Sequence, residues 1–349
     1  LDNNTYLKLL SSPAIFGAEV ESNPSGWVVI DEVQKAPAVL DEVHGLISKY
    51  GDQLNFAISG SSARKLKRMD ANLLAGRAIN TQLFPLSISE LDFKAEPETM
   101  LRFGSLPRIQ TLLAENEQSL VFEVLESYVA NYLREEIQQE ALTRNLGSFS
   151  RFLRVAAIMN GQIVNFSQTA SDAGVTRPTV TNYFEILQDT LVGTLLPCWQ
   201  PRAKVKQKNA HPRFYFFDCG VVRTITTRLR DSLAEEERGR LLETLVLNEL
   251  RVWRNFSRCG GEFYYWRSDT DVEVDFIWQR GEQTIAIEVK ATTNWSSKYS
   301  KAMRRLLDRK QVNSAYGIYL GGSSLIDGEV KVFGFKDFVR ALHAGEIFK

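Results

Sequence analysis

Asn23-Pro24-Ser25-Gly26-Trp27-Val28-Val29-Ile30-Asp31-Glu32 decides how the first hundred residues are read. A short apolar run leaves a Pro- and Gly-containing turn and stops on two acids. Such a run, bounded by polar residues, predicts a buried parallel strand whose C-terminal end carries functional groups. A second run, Phe56-Ala57-Ile58, ends on Ser59-Gly60-Ser61-Ser62. Between the two, Val39, Val43, Leu46 and Ile47 recur at helical spacing. Strand, helix and strand in that order predict an α/β sheet over residues 1–95.

Downstream the pattern changes. Leu120, Val124, Tyr128 and Tyr132 form one helical stripe, and Phe149, Leu153, Ala156 and Ala157 form another. Between Asn165 and Tyr183 a short helix ends at Gly174, and a second begins with Thr176 as N-cap and Pro178 in its first turn. Helix, glycine turn and helix predict a helix-turn-helix, with Leu191–Leu196 as its wing strand. Residues 202–213 hold Arg202, Lys204, Lys206, Lys208 and Arg213 without an acid, and read as a basic loop into a further α/β region. There, strands are expected at 214–217, 262–266, 271–278, 284–290 and 315–320, with helices at 239–256 and 297–311. The expected fold class is multidomain α/β: a parallel sheet at 1–95, a helical winged-helix-like middle at 96–200, and an α/β domain at 201–349.

The composition is ordinary for a globular chain of 349 residues, with 44% hydrophobic and 24% charged residues, which excludes a disordered or low-complexity protein. Basic and acidic residues balance at 42 each, so any nucleic-acid surface must be local. The cysteines (Cys198, Cys219, Cys259) and histidines (His44, His211, His343) fit no zinc spacing. A reduced, cytoplasmic setting is expected. No apolar run reaches the roughly 18 residues of a membrane span, and no signal peptide opens the chain, so no membrane association is expected.

The first candidate chemistry sits at the strand ends. An Asp in the position of Asp31 can hold magnesium, directly or through water, and the following Glu32 can polarise an attacking water. Ser59 or Ser61 can sense a γ-phosphate. Arg77, after Leu73-Leu74-Ala75-Gly76, can neutralise transition-state charge. The plain alternatives are a solvated strand end and a surface arginine. Four blocks together are more specific: Val28–Pro37, Ser59–Arg64, Leu74–Arg77, and Phe84-Pro85-Leu86-Ser87-Ile88-Ser89-Glu90-Leu91. Their order and spacing resemble the bacterial and archaeal AAA-like P-loop ATPases that carry a C-terminal domain of unknown function, and the resemblance runs through the rest of the chain. It implies that Asp31 is the Walker B magnesium residue, Glu32 the catalytic glutamate, Ser59 or Ser61 the sensor and Arg77 a finger, with ATP and Mg2+ as cofactors. Such a finger usually acts across a subunit boundary, so a homo-oligomer is expected.

One departure is serious. None of the 22 glycines precedes a lysine, so the chain holds no G-x-x-x-x-G-K-[ST] phosphate loop. In the family that loop precedes the region where this chain begins. Truncation is the preferred explanation and a degenerate pseudo-ATPase the second. Tight ATP binding by the chain as given is not expected.

The second candidate lies at 270–290. Val272, Val274 and Phe276 alternate with Asp271, Glu273 and Asp275, and Ile285, Ile287 and Val289 with Ala286, Glu288 and Lys290. With Gly281 in the loop, a hairpin would gather Asp275, Glu288 and Lys290 on one face. Two carboxylates can hold a divalent cation there, and the lysine can position water. The pattern resembles the core of PD-(D/E)xK nucleases, whose helix-borne glutamate corresponds to Glu243. Glu249, on the apolar stripe of the same helix, is its competitor. The alternative is an exposed polar sheet face with an internal Glu–Lys pair.

The third candidate is the helix-turn-helix. Arg177, Thr179 and Asn182 would face outward, as residue types that touch phosphates and bases, and with Lys204, Lys206 and Lys208 they point to DNA. The competing class is a non-catalytic DNA-binding or regulatory protein in which the ATPase and nuclease sites are vestigial. A third reading is a metal-dependent nuclease that ignores ATP.

Overall fold

The strand that ends on Asp31 forms as expected. The computed structural model describes residues 8, 11–60, 78–132, 146–200, 211–268 and 272–348. They fall into two compact units, Leu1–Asn80 grouped with Asp189–Leu191, and Thr81–Gln188 with Val192–Lys349.

In the first unit, α1 (Ala14–Glu21) precedes β1 (Gly26–Ile30), and α2 (Val39–Tyr50) connects it to β2 (Leu54–Ile58). The strands pair in parallel, with Gly26 opposite Leu54 and Ile30 opposite Ile58. Val39, Leu40 and Val43 of α2 form a small core with Val33, against which Ile30, Phe56 and Ile58 pack. Only one face of β1 is covered: Trp27 and Val29 are 71% and 74% exposed. The expected fully buried strand is therefore buried on one side.

The second unit opens with α3 (Pro97–Phe103) and α4 (Pro107–Ala114), both begun by proline, which lacks the amide hydrogen that a helix start leaves unpaired. Next come α5 (Gln118–Ser127) and α6 (Leu146–Ile158). The helix-turn-helix follows as α7 (Phe166–Ala173) and α8 (Arg177–Asp189). The Asn165 side chain accepts from the amides of Ser167 and Gln168, and Gly174 ends α7 at φ +64°, a left-handed conformation that glycine adopts without strain. Phe149, Phe152, Tyr183 and Phe184 stack mostly edge to face between α6 and α8.

Two sheets complete this unit. The smaller is antiparallel, with β5 (Arg213–Phe216) central between β3 (Gln162–Ile163) and β4 (Gly193–Leu196). A cut of the chain at residue 200 passes through this sheet. The larger follows α9 (Cys219–Ile225) and the long α10 (Glu235–Ser257). Its strands are β6 (Glu262–Arg267), β7 (Glu273–Arg280), β8 (Gln283–Lys290), β9 (Ser314–Tyr319), β10 (Leu325–Asp327) and β11 (Val330–Gly334), in the order β10-β11-β9-β8-β7-β6. The sheet is mixed: β6, β7 and β8 are antiparallel, and β8, β9 and β11 parallel. Leu245, Val246 and Trp253 of α10 share one core with Phe276, Trp278 and Ile287, joined by Phe338 and Leu342 of α12 (Phe335–His343). Met303 and Leu306 of α11 (Lys301–Asp308) join Ile277 and Ala286 in a second core. Strands buried on both faces suit a sheet sandwiched by helices.

The regular alternation read along β7 is wrong at one place. Tyr264 pairs with Ile277 but Trp266 with Val274, so Asp275 and Phe276 both oppose Tyr265 in a β-bulge. Val274 accordingly joins the core of Ile277, while Phe276 joins that of Trp278. A second correction concerns Arg213. Instead of ending a solvated basic loop it begins β5 and is only 4% exposed.

Gly220 in α9 shows how tightly the helices approach. A Cβ there would lie 2.1 Å from the Phe103 carbonyl oxygen and 3.1 Å from the Gly104 amide, both backbone atoms that cannot rotate away. Gly220→Ala is expected to cost about 1–3 kcal/mol or more, read as a lowered midpoint in urea unfolding. An unchanged midpoint would mean that α3 and α9 are less closely packed. Among the described residues no helix is long and apolar enough to cross a membrane.

Candidate functional site

At the C-terminal ends of β1 and β2 the backbone locks the two polar strand ends together. The Ser59 amide donates to Ile30 O (2.8 Å), and the Val33 amide to Ser59 O (3.1 Å). The Ser59 hydroxyl donates to Asp31 Oδ1 in a short hydrogen bond. Between these, Glu32 takes a left-handed φ of +58°, an uncommon and costly conformation for a side-chain-bearing residue, of the kind that collects at functional sites. Its carboxylate accepts from Gln34 Nε2 (2.7 Å) and lies 3.7 Å from the Lys35 ammonium. The structure thus joins Asp31 to Ser59 and turns Glu32 sideways; Ser61 and Arg77 lie outside the described residues. Among the described residues no hydrogen bond reaches Asp31 Oδ2. A magnesium ion keeps most of its waters and takes one or two carboxylates, so Asp31 fits that role as a single open ligand.

The second cluster is denser. The bulge at 275–276 swings Asp275 to the side of Phe276, toward Tyr215 and α10. There Arg213 Nη1 lies 3.4 Å from Asp275 Oδ1 and 3.5 Å from Glu243 Oε2, while Nη2 donates to Glu273 Oε2 at 2.5 Å. The Tyr215 hydroxyl donates to Glu243 Oε2 (2.7 Å). The guanidinium also lies over the ring of Tyr265, 5.1 Å from its centroid. Across the sheet Lys290 Nζ is 2.5 Å from Glu288 Oε1 and 3.7 Å from Asp275 Oδ2, and that Asp275 oxygen also accepts the Val289 amide (2.8 Å). The structure therefore brings together Glu243, Asp275, Glu288 and Lys290 as expected. The alternative of an exposed polar face does not hold, because Asp275 and Glu288 are 6% and 7% exposed.

Sequence reasoning did not find Arg213, Tyr215 or Glu273 as members. The available signal was an arginine opening the aromatic run Arg213-Phe214-Tyr215-Phe216-Phe217, where a solvated loop residue would be out of place.

Burial governs the charge states. Burial, reinforced by the Asp275 charge, pushes Glu243 up to about 7 and Glu288 up to about 8. Burial opposes the charge on Arg213 and on Lys290, but the surrounding acids outweigh it and hold both firmly protonated. A divalent ion fits poorly here. The nearest oxygens of Glu243, Glu273 and Asp275 already converge on a guanidinium, and among the described residues no group of three or more Asp, Glu, His or Cys side chains is arranged to hold a metal.

Glu249, the competitor of Glu243, has a different task. It is fully buried, and its Oε1 accepts the amide of Ile88 (2.8 Å), while Asn248 Nδ2 donates to Pro85 O (3.2 Å). The Arg251 guanidinium lies over the Phe84 ring. Helix α10 thus holds the Phe84–Leu91 block in place. On α8, Arg177 and Asn182 are exposed, whereas Thr179 is half-buried and its hydroxyl bonds that of Thr176 (2.8 Å). Lys204, Lys206 and Lys208 lie outside the described residues. The cysteines are free.

Residues 1–92 match the family model of an AAA domain. The N-terminal region is thus AAA-like. Residues 95–232 and 238–338 match two domains of unknown function, DUF8612 and DUF4143. An uncharacterized protein of Mycobacterium tuberculosis is 26% identical over 303 residues, 86% of this chain and 66% of that protein. Others come from Methanocaldococcus jannaschii (25% identical; 79% of this chain, 65% of that protein) and Haemophilus influenzae (21%; 75% and 65%). The chain spans just under two thirds of the length of these curated relatives.

Proposed function

We propose that this AAA-like chain takes part in ATP hydrolysis, with Asp31 holding the magnesium ion, Glu32 orienting the attacking water and Ser59 fixing Asp31 and sensing the γ-phosphate. The observation that carries this reading is the Ser59–Asp31 hydrogen bond at the adjoining ends of two parallel strands, within residues that match an AAA domain. Magnesium would neutralise phosphate charge; the chain's own part is to place one carboxylate at the ion and another at the water. The phosphate-cradling amides must come from a loop that these residues do not include. In the second unit, the helix-turn-helix flanked by the strands of a three-stranded antiparallel sheet, β3 before it and β4 and β5 after it, supports a winged-helix-like module that contacts DNA through Arg177 and Asn182. The mixed sheet with α10 and the Glu243–Asp275–Glu288–Lys290 grouping support kinship with PD-(D/E)xK nucleases.

The test starts from the reading frame upstream of Leu1. If it encodes a strand and a G-x-x-x-x-G-K-[ST] loop, the extended protein should hydrolyse ATP, and Glu32→Gln should lower kcat by about 10²–10⁴-fold while leaving nucleotide binding intact. Asp31→Asn should weaken the magnesium dependence. Undiminished hydrolysis in both variants would sink the assignment. For the DNA reading, affinity should fall as salt rises, and Arg177→Ala should reduce the log–log salt slope by about 1; a salt-independent signal argues against it.

A further inference from the structure

The acidic cluster of the second unit contains its own cations. A metal bridging Glu243 and Asp275 would have to stand about 2.0–2.6 Å from an oxygen of each, and that place is taken by Arg213 Nη1, at 3.5 and 3.4 Å from them. The second arm of the same guanidinium engages Glu273. Both oxygens of Asp275 are committed, Oδ1 to Arg213 and Oδ2 to the Val289 amide and Lys290. Glu288 Oε1 is held by Lys290, and only its buried Oε2 lacks a hydrogen-bond partner. Arg213 cannot swing clear at little cost: it is 4% exposed, lies over the Tyr265 ring, and is delivered by the central strand of another sheet. A second, doubly charged cation a few ångströms from a fixed guanidinium would meet strong repulsion in so buried a place.

We propose that Arg213 is the resident cation of the Glu243–Glu273–Asp275 cluster and, with Lys290, excludes divalent metal ions from it, so that this nuclease-like site is a charge-locked joint between two sheets and not a cleavage centre. The arrangement is a guanidinium doing structurally what a metal ion would otherwise do: neutralising converging carboxylates. The inference uses only the second unit. It stands or falls separately from the ATPase reading, because metal occupancy here is independent of nucleotide hydrolysis at Asp31.

The experiment is a Mn2+ titration of the full chain carrying Asp31→Asn, which silences the first unit, followed by electron paramagnetic resonance of free Mn2+ and by the shift in Tm. The protein with Arg213 intact is expected to take up no Mn2+ at this cluster below millimolar concentration, and adding Asp275→Asn should change nothing. Arg213→Gln, which keeps a donor but shortens the side chain and removes the charge, should gain one Mn2+ and at least a tenfold rise in affinity, lost again when Asp275→Asn is added. Arg213→Met is the second variant, should glutamine not fold. Mn2+ bound by the Arg213 protein and lost on Asp275→Asn would overturn the proposal. So would a folded Arg213→Gln or Arg213→Met protein that binds no more Mn2+ than its parent.

Discussion

Arg213→Leu is expected to destabilise the second unit by about 3–5 kcal/mol, the scale found when one partner of a buried ion pair is removed. The side chain is almost wholly buried, and its loss removes the one cation shared by Glu243, Glu273 and Asp275, leaving Lys290 beside Asp275 and Arg267 beside Glu273 but no partner charge of this kind at Glu243 Oε2. Part of that cost is relieved because Glu243, already pushed up to about 7, can take a proton instead. The loss should therefore shrink at pH 5 relative to pH 8. Combining Arg213→Leu with Asp275→Asn should recover part of the stability, since the repelling charges are reduced with the cation. Urea unfolding at the two pH values measures all three outcomes. A loss below 1 kcal/mol at pH 8 would mean that the network contributes little.

Glu249→Gln should act in the opposite direction. Burial pushes Glu249 from 4.5 up to about 8, with only the Ile88 amide helping its charged form. Between those values the folded chain keeps a proton that the unfolded chain has released. Stability contributed by the neutral carboxyl is thus complete below about pH 4.5 and is lost as pH rises toward 8. A shift of this size corresponds to a few kcal/mol, taken as roughly 2–4. Glutamine keeps the acceptor for Ile88 and cannot ionise. The variant should match the parent at pH 5 and exceed it by that amount at pH 8.5. Glu243, Glu288 and Asp218 are shifted upward too, so the readout is the difference between the two proteins and not the slope of either. Equal stability of both at pH 8.5 would show that the buried carboxylate is better compensated than its single amide partner indicates.

These two positions show how far the sequence could be read. The α/β start, the helix-turn-helix with Gly174 at its turn and the hairpin of β7 and β8 were legible because each follows from local periodicity and turn chemistry. The association of Asp275, Glu288 and Lys290 was legible from a pattern of residue types, and Glu243 only through the resemblance that this pattern carries. Arg213 was not, because its partners on α10 and β7 lie thirty to sixty residues away and a run of basic neighbours disguised it. The bulge was not legible either: Val272, Val274 and Phe276 alternate faultlessly on paper, and only pairing with β6 reveals the extra residue. Glu249 was recognisable as a carboxylate needing a partner, but that partner is the backbone of Ile88, which no side-chain pattern announces.

The central position of β5 bears on how such proteins can diversify. Its two neighbours, β3 and β4, are encoded before residue 200, while its arginine completes a cluster built from residues 243 to 275. A gene fusion that exchanged the C-terminal half at the basic stretch would bring a foreign strand between two old ones and a foreign residue among three acids. Recombination at that point is therefore expected to be unproductive, and the helical region and the mixed sheet should be inherited together as one cassette.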